Sequence, residues 1–237
     1  MQGAFRRGTG ATLGLVVVFC LHGIADDNPV DRWAKAVGGR ERVSAIKAIY
    51  REATIEVAGY RGSIKAWHTA DGKYRKDEQV GPLATVEIFD GSTATLRRGS
   101  EPPRTMTGAE LERARSTAFA NSNAMFFAFF PDRHRGTVAT EGPQTIVLKP
   151  EGGIDWRVTL DPETSLPMTM VHTEDDRTIT VTFVSYETVG GIKFEQEIHR
   201  STGDPRFHAV IRFTKTVMNP DIDPSLFSSR STDDARR

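Results

Sequence analysis

The sequence predicts a mostly β protein of the α+β class, with about ten to twelve antiparallel strands. The first observation is alternation of apolar and polar residues, clearest in residues 154–160 and 179–183. Alternation of this kind is typical of strands with one buried face and one hydrated face. The second is the position of the turn signals, because Asp71-Gly72 and Asp90-Gly91 separate neighbouring apolar segments as tight hairpins do. Strands that recur at a spacing of roughly ten residues indicate a barrel or a sandwich.

An aromatic run at residues 124–131, AMFFAFFP, is the most apolar part of the predicted domain. Four phenylalanines fall within five residues: Phe126, Phe127, Phe129 and Phe130. One face of a helix or strand cannot hold all four rings, so apolar surface must surround the run. Two interpretations stay open, a core helix and a lid that lines a cavity on the concave face of a curved sheet.

The N-terminal segment has the features of a secretory signal peptide. Arg6 and Arg7 precede the apolar stretch 11–21, which is too short to span a bilayer comfortably. Small residues end the segment, and we expect cleavage after Ala25, which defines residues 1–25 as the signal.

Cysteine content bears on the compartment. Cys20 is the only cysteine and lies inside the signal, so the exported chain forms no disulfide. Phe19 precedes Cys20 where a lipoprotein signal has a small residue, which argues against lipid attachment there. An exported protein without disulfides fits the periplasm of a bacterium.

The exported chain begins with two predicted helices. Asn28-Pro29 supplies a capping residue and a first-turn proline, and Gly38-Gly39 ends the first helix. A short second helix places Val43 and Ile46 on one side. We expect this amphipathic pair to lie against the sheet edge.

Predicted strands follow on both sides of a central helix. The first set contains Trp67 and comprises residues 48–57, 63–69, 73–79, 83–89 and 93–98. The central helix spans residues 109–120, and Asn121–Asn123 separates it from the aromatic run. In the second set, Phe207 should share a buried face with Ile211, and Glu195 should lie on a polar face.

The chain contains no linker or repeat that would divide it. We expect one domain over residues 26–227 and a flexible tail over residues 228–237.

The order of these parts resembles the periplasmic lipoprotein-carrier superfamily, the LolA/LolB-like fold, which includes LppX/LprG-type lipid carriers. The resemblance covers most of residues 28–227 and rests on short, degenerate motifs. These are the Asp90-Gly91 hairpin, the strand pair from Tyr186 through Gly191 to Phe194, and the closing segment 219–227. It implies an incomplete antiparallel β-barrel, with helices covering its open, concave side and an apolar cavity that receives acyl chains. No functional arginine of the lipoprotein carriers aligns with a particular residue here.

Seven aromatic residues are the candidate ligand-binding residues. They are large and apolar, and they lie on the central helix, the aromatic run and two strands: Phe119, Phe126, Phe127, Phe129, Phe130, Trp67 and Trp156. Core packing is the alternative role for each of them. The polar break before the aromatic run favours a mobile lid.

Catalytic and metal-binding motifs are missing from the sequence, so we expect no enzyme activity, no catalytic residues, no metal and no cofactor. The 31 basic and 31 acidic residues balance, which gives no reason to expect nucleic-acid binding.

The function that fits best is a monomeric periplasmic carrier of a lipid, of the acyl chains of a lipidated protein, or of another apolar ligand, with transient membrane contact. Two alternatives stay open. One is an accessory protein that binds an envelope protein through a sheet edge, and the other is an unrecognised periplasmic hydrolase.

Overall fold

The structure is a computed structural model that describes residues 28–120, 128–130 and 135–228. Several sequence-based expectations fall outside these residues: the signal 1–25, Phe126 and Phe127, the polar break Asn121–Asn123, and all of the tail after Ser228.

Thirteen antiparallel strands form a single sheet in the described part of the chain. The first six are β1 Ala48–Val57, β2 Tyr60–Thr69, β3 Tyr74–Val80, β4 Leu83–Phe89, β5 Ala94–Arg98 and β6 Arg104–Thr105. The others are β7 Gly136–Thr140, β8 Thr145–Pro150, β9 Trp156–Leu160, β10 Pro167–Glu174, β11 Arg177–Val189, β12 Ile192–Ser201 and β13 Ala209–Met218. The predicted count of about ten to twelve is slightly low.

The strand order explains why the barrel stays incomplete. It runs β6-β5-β4-β3-β2-β1-β13-β12-β11-β10-β9-β8-β7, so the first and last strands pair in the middle of the sheet. Strands β6 and β7 form its two edges and do not pair with each other. The prediction of an open antiparallel sheet is confirmed.

The two faces of the sheet differ in polarity. On β1, Ile49, Ala53 and Ile55 are buried, whereas Thr54 and Glu56, which flank Ile55, are exposed. We call the face that carries Ile49, Ala53 and Ile55 the inner face, and the opposite one the outer face. The inner face holds the main hydrophobic core, because burying apolar side chains is the largest favourable contribution to folding.

Three α-helices are described: α1 Pro29–Val37, α2 Arg40–Ser44 and α3 Ala109–Ala120. The Asn28 side chain accepts a hydrogen bond of 2.9 Å from the Val30 amide, which confirms the predicted helix start. Trp33 of α1 is buried in the same core as the inner face. Helix α1 contacts β8 and β12, and α3 contacts β4 and β8. The helices therefore cover the apolar face of the sheet.

Two sequence-based expectations about strand faces are wrong. Phe207 lies in a 3₁₀ turn, Pro205–Phe207, and is exposed, because β13 begins only at Ala209. Glu195 is buried, because irregular pairing between β11 and β12 near Ser185 interrupts the alternation.

A second 3₁₀ turn, Pro224–Phe227, closes the described chain and contacts β3. Arg75 donates a hydrogen bond of 3.4 Å to the Leu226 carbonyl. Within the described segments, none of the helices has the length and apolar character needed to cross a membrane.

Candidate functional site

The N-terminal helices hold the described part of the aromatic run at one end of the inner face. The Trp33 and Phe129 rings meet edge to face with centroids 4.4 Å apart. Arg40 donates a hydrogen bond of 2.9 Å to the Phe129 carbonyl and pairs with Asp31 at 2.8 Å. Residues 128–130 are therefore fixed by packing on α1 and by a hydrogen bond from α2.

Four of the seven candidate residues meet in the main core. Phe119, Phe129 and Trp156 expose only 2%, 4% and 6% of their surface, and Phe130 is half-buried and packs against the same core. At this burial their rings contact other side chains on most sides. Their role in ligand binding stays a prediction.

Trp67 lies elsewhere. Its neighbours on β2, Ala66 and His68, are buried on the inner face, so the side chain of Trp67 projects from the outer face. There it packs against Tyr50 with ring centroids 4.9 Å apart, and the Arg75 guanidinium lies 5.9 Å from its ring. The structure does not bring Trp67 together with the other candidate residues.

A cavity of about 450 Å³ lies at the C-terminal end of α3. Phe119 and Phe89 form part of its wall, so one predicted residue does line a cavity. Four charged residues also line it: Asp71, Arg115, Arg135 and Glu151. Burying an acyl chain against so many charges would cost desolvation energy. The cavity is therefore less suited to an apolar chain than the apolar part of the inner face.

The opposite end of the inner face leaves apolar surface accessible. Val57, Val80 and Ile211 are only half-buried, although each packs against the main core. They lie at or near the ends of β1, β3 and β13, where Val57 pairs with Ala209 and Val80 with Gly62. We call Val57, Val80 and Ile211 the open rim.

Charged side chains from β3 and β4 lie on the inner face beside the open rim. The Tyr74 hydroxyl donates a hydrogen bond to Glu87. Lys76 lies 3.9 Å from Glu87 and 3.5 Å from Glu78. These residues continue the register of Tyr74 and Val80, which places all of them on the inner face.

Glu174 at the end of β10 links α3 to the sheet. Its carboxylate lies 2.7 Å from Arg113 of α3, 3.7 Å from His172 and 3.9 Å from Arg200 of β12. The contact with His172 and the ion pair with Arg113 outweigh burial and lower the pKa of Glu174 to about 2. Glu174 is therefore a carboxylate at neutral pH, held mainly by Arg113.

Two buried polar atoms near Glu174 have no partner among the described residues. The Trp156 and His172 rings stack with centroids 4.7 Å apart and planes inclined by 14°. Within the described chain, neither Nε1 of Trp156 nor Nδ1 of His172 finds a hydrogen-bond partner.

A buried ion pair lies under the middle of the sheet. Arg51 reaches Glu195 at 2.8 Å, and its guanidinium stacks on Phe213 at 3.4 Å from the ring centroid. Burial raises the pKa of Glu195 to about 7, although the charge of Arg51 opposes the rise. The pair has almost no access to solvent, which indicates a structural role for it.

The described residues offer no evident site for a metal ion. Over residues 28–120, 128–130 and 135–228, no group of three or more His, Cys, Asp or Glu side chains is placed to hold a metal ion. The His199 and His208 rings lie with centroids 5.2 Å apart, and His199 pairs with Glu197 at 2.8 Å.

Sequence reasoning missed the charged residues of the inner face. Lys76 belongs to the strand segment YRKDEQV, in which charges occupy both alternating sets of positions. The sequence did contain a signal, because residues two apart on a strand share a face. Lys76 is two residues from Tyr74, and Arg200 is two residues from Ile198; Tyr74 and Ile198 are buried.

No protein-family model matches the sequence, and no curated protein is similar to it in sequence. Solved structures are similar in fold. A LolA superfamily protein from Nitrosomonas europaea superposes with a TM-score of 0.53 at 9% identity, over 84% of this chain and 96% of that one. A DUF1329 family protein from Desulfovibrio piger gives a TM-score of 0.52 at 13% identity, over 84% and 95% of the two chains. The open thirteen-stranded sheet covered by helices thus has the LolA-like fold that the sequence predicted.

Proposed function

We propose that the protein is a periplasmic carrier that binds an acyl chain or another apolar ligand on the inner face of its sheet. The observation that carries this proposal is the open rim. Val57, Val80 and Ile211 continue the main core but keep part of their apolar surface accessible. A ligand chain laid on this surface would extend the core without any rearrangement of the strands.

The energetics of burial are sufficient for useful affinity. Each methylene removed from water contributes about 0.8 kcal/mol, so ten methylenes contribute roughly 8 kcal/mol. If the free-energy cost of immobilising the ligand is left out, this corresponds to a dissociation constant of about 1 μM. The protein would therefore act by shielding the chain from water, and no chemical step is required.

Fluorescent fatty-acid binding tests the proposal. Ile211→Gln puts a polar amide into the open rim, and we expect the probe to bind about tenfold more weakly. Val184→Gln is the matched control, because Val184 is an exposed branched residue of β11 next to the buried Phe183. Equal affinities of the two variants and the parent would contradict binding at the open rim.

The natural ligand can be identified in the same preparation. We expect mass spectrometry of organic extracts from the purified protein to show one amphiphile at near-stoichiometric amount. Extracts free of lipid, together with no binding of the fluorescent fatty acid, would remove the support for a carrier.

Binding of an envelope protein is the second candidate, and the edge strand β7 favours it. Gly136–Thr140 carries no charged residue and no proline, which are the features that usually protect a sheet edge from pairing. Val138→Pro would block the addition of a partner strand. A polypeptide that co-purifies in equal amount with the parent but not with Val138→Pro, without bound lipid, would favour this alternative.

A further inference from the structure

Cationic side chains face each other across the inner face next to the open rim. Lys76 belongs to β3 and Arg200 to β12, and three strands lie between these two in the sheet. Burial lowers the pKa of Lys76, Glu87 and Glu78 raise it above its ordinary value, and the charge of Arg200 opposes that rise. Both side chains lie on the inner face, because Lys76 is two residues from the buried Tyr74 and Arg200 pairs in register with the buried Ala209. The repulsion between their charges agrees with this placement, although their strands are not neighbours.

The pairing of these cations is incomplete. Among the described residues, the nearest carboxylate to Arg200 is Glu174 at 3.9 Å, a distance too long for a hydrogen bond. That carboxylate is already bound by Arg113 at 2.7 Å. Lys76 lies 3.5 and 3.9 Å from its two carboxylates. Both Arg200 and Lys76 therefore have N–H groups that can serve a ligand.

The accessible charge in this region is positive. The side chains of Arg200 and Lys76 are 45% and 38% exposed, whereas those of Glu174 and Glu87 are only 15% and 11% exposed. Glu78, at 27%, is also less accessible than either cation. A ligand that approaches from solvent therefore meets the cations first.

The cations adjoin the apolar surface of the open rim. Arg200 pairs in register with Ala209, and Ala209 pairs with Val57. Ile211, two residues further along β13, has its side chain on the same face. An anionic group held by Arg200 would thus place an attached hydrocarbon chain directly on the open rim.

We propose that the ligand is an amphiphile with an anionic head group, a carboxylate or a phosphate, which binds between Arg200 and Lys76 while its chain lies on the open rim. This inference rests on the proposed carrier function. Charge-assisted hydrogen bonds from guanidinium and ammonium groups would fix the position of the head group. The burial of the chain would supply most of the affinity.

Binding of matched amphiphiles tests the head-group site. We would measure dissociation constants at low ionic strength for dodecanoate, dodecyl phosphate and the uncharged 1-dodecanol, which share one chain length. At least one of the two anions should bind about tenfold more tightly than dodecanol. The tighter of the two identifies a carboxylate or a phosphate as the preferred head group. If neither anion binds more tightly than dodecanol, the head-group site is overturned.

Variants locate the site. Arg200→Met and Lys76→Met keep the apolar stems but remove the charge, and each should reduce the preference for the anion by about fivefold or more. Arg200→Lys should restore part of the preference. Arg212→Met is the matched control, because Arg212 is 48% exposed on the neighbouring strand and pairs with Glu197 on the outer face. Thermal unfolding of each variant confirms that it is folded.

The results separate the two proposals. If dodecanol and the anions bind equally and Arg200→Met changes nothing, the head-group inference fails while the carrier proposal stands. If none of the three amphiphiles binds, both proposals fail. If Arg212→Met lowers the anion preference as much as Arg200→Met, the effect comes from net charge, and the site is overturned.

Discussion

The buried carboxyl of Glu195 should make the protein less stable as the pH rises through neutrality. Glu195 is only 2% exposed, and burial raises its pKa from 4.5 to about 7. A group whose pKa is raised on folding stabilises the folded state below the pKa of the unfolded chain. That contribution is lost as the pH rises through the folded-state value. Stability should therefore decline between about pH 4.5 and about pH 7.5 through this group.

The size of the effect follows from the two pKa values. The difference between 4.5 and about 7 is about 2.5 pKa units, and each unit corresponds to about 1.4 kcal/mol. The whole change is therefore about 3 kcal/mol, which is large beside a typical unfolding free energy of about 5–15 kcal/mol.

Urea unfolding of Glu195→Gln at a series of pH values measures this change. Glutamine keeps the shape of the side chain and an oxygen that can accept from Arg51, but it does not titrate. The unfolding free energy of the parent minus that of the variant should fall by about 3 kcal/mol across this range. Glu197→Gln is the control, because Glu197 lies two residues away and its hydrogen bonds to His199 and Arg212 lower its pKa. A parent-minus-variant difference that stays flat for Glu195→Gln would refute the reasoning.

Two further predictions concern the hydrophobic core and the change of stability at acid pH. Phe129→Ala should lower the free energy of unfolding in urea by about 3–5 kcal/mol, because the ring is buried against Trp33. Phe130 is only half-buried, so Phe130→Ala should lower it less. Equal losses in the two variants would contradict this packing. Glu174 has its pKa lowered to about 2, so its contribution is present above its ordinary value of 4.5 and is lost as the pH falls towards about 2. Glu174→Gln should therefore be less stable than the parent at neutral pH, and this deficit should shrink in acid; a deficit independent of pH would argue against the ion pair with Arg113.

Local features of the fold could be predicted from the sequence. Asn28-Pro29 and Gly38 fix the first helix by capping and backbone geometry, which depend on adjacent residues only. The Asp-Gly hairpins are of the same kind, since Gly72 and Gly91 have the positive φ angles of 85° and 100° that such turns require. The open antiparallel sheet followed from alternation together with the family resemblance.

Long-range features could not be predicted in the same way. The pairing of β1 with β13 joins the first and last strands of the sheet, and no local pattern predicts it. The buried position of Glu195 depends on irregular pairing with β11, which shifts its face relative to simple alternation. Phe207 looked like a strand residue, but Pro205 and the Asp204 cap begin a 3₁₀ turn there.

The residues of the candidate site could not be predicted from the sequence. Val57, Val80 and Ile211 are ordinary apolar strand residues in the sequence, and only the tertiary fold leaves them half-buried. Aromatic content selected Phe119, Phe129 and Trp156 as ligand-binding candidates with core packing as the alternative, and all three are buried in the main core. Their role in ligand binding stays a prediction. Lys76 and Arg200 escaped notice because charged residues are normally assigned to the hydrated face of a strand. Only the three-dimensional arrangement shows that these two distant strands bring both cations beside the open rim.

Photo-crosslinking tests most directly whether an apolar chain lies on the inner face. A dodecanoate with a diazirine at its chain end would be bound, irradiated, and located by peptide mass spectrometry of the digested protein. We expect the label on peptides that contain Val57, Val80 or Ile211, with competition by unlabelled dodecanoate. Label confined to outer-face residues such as Trp67 or Val184, or label that unlabelled dodecanoate does not reduce, would contradict ligand binding on the inner face.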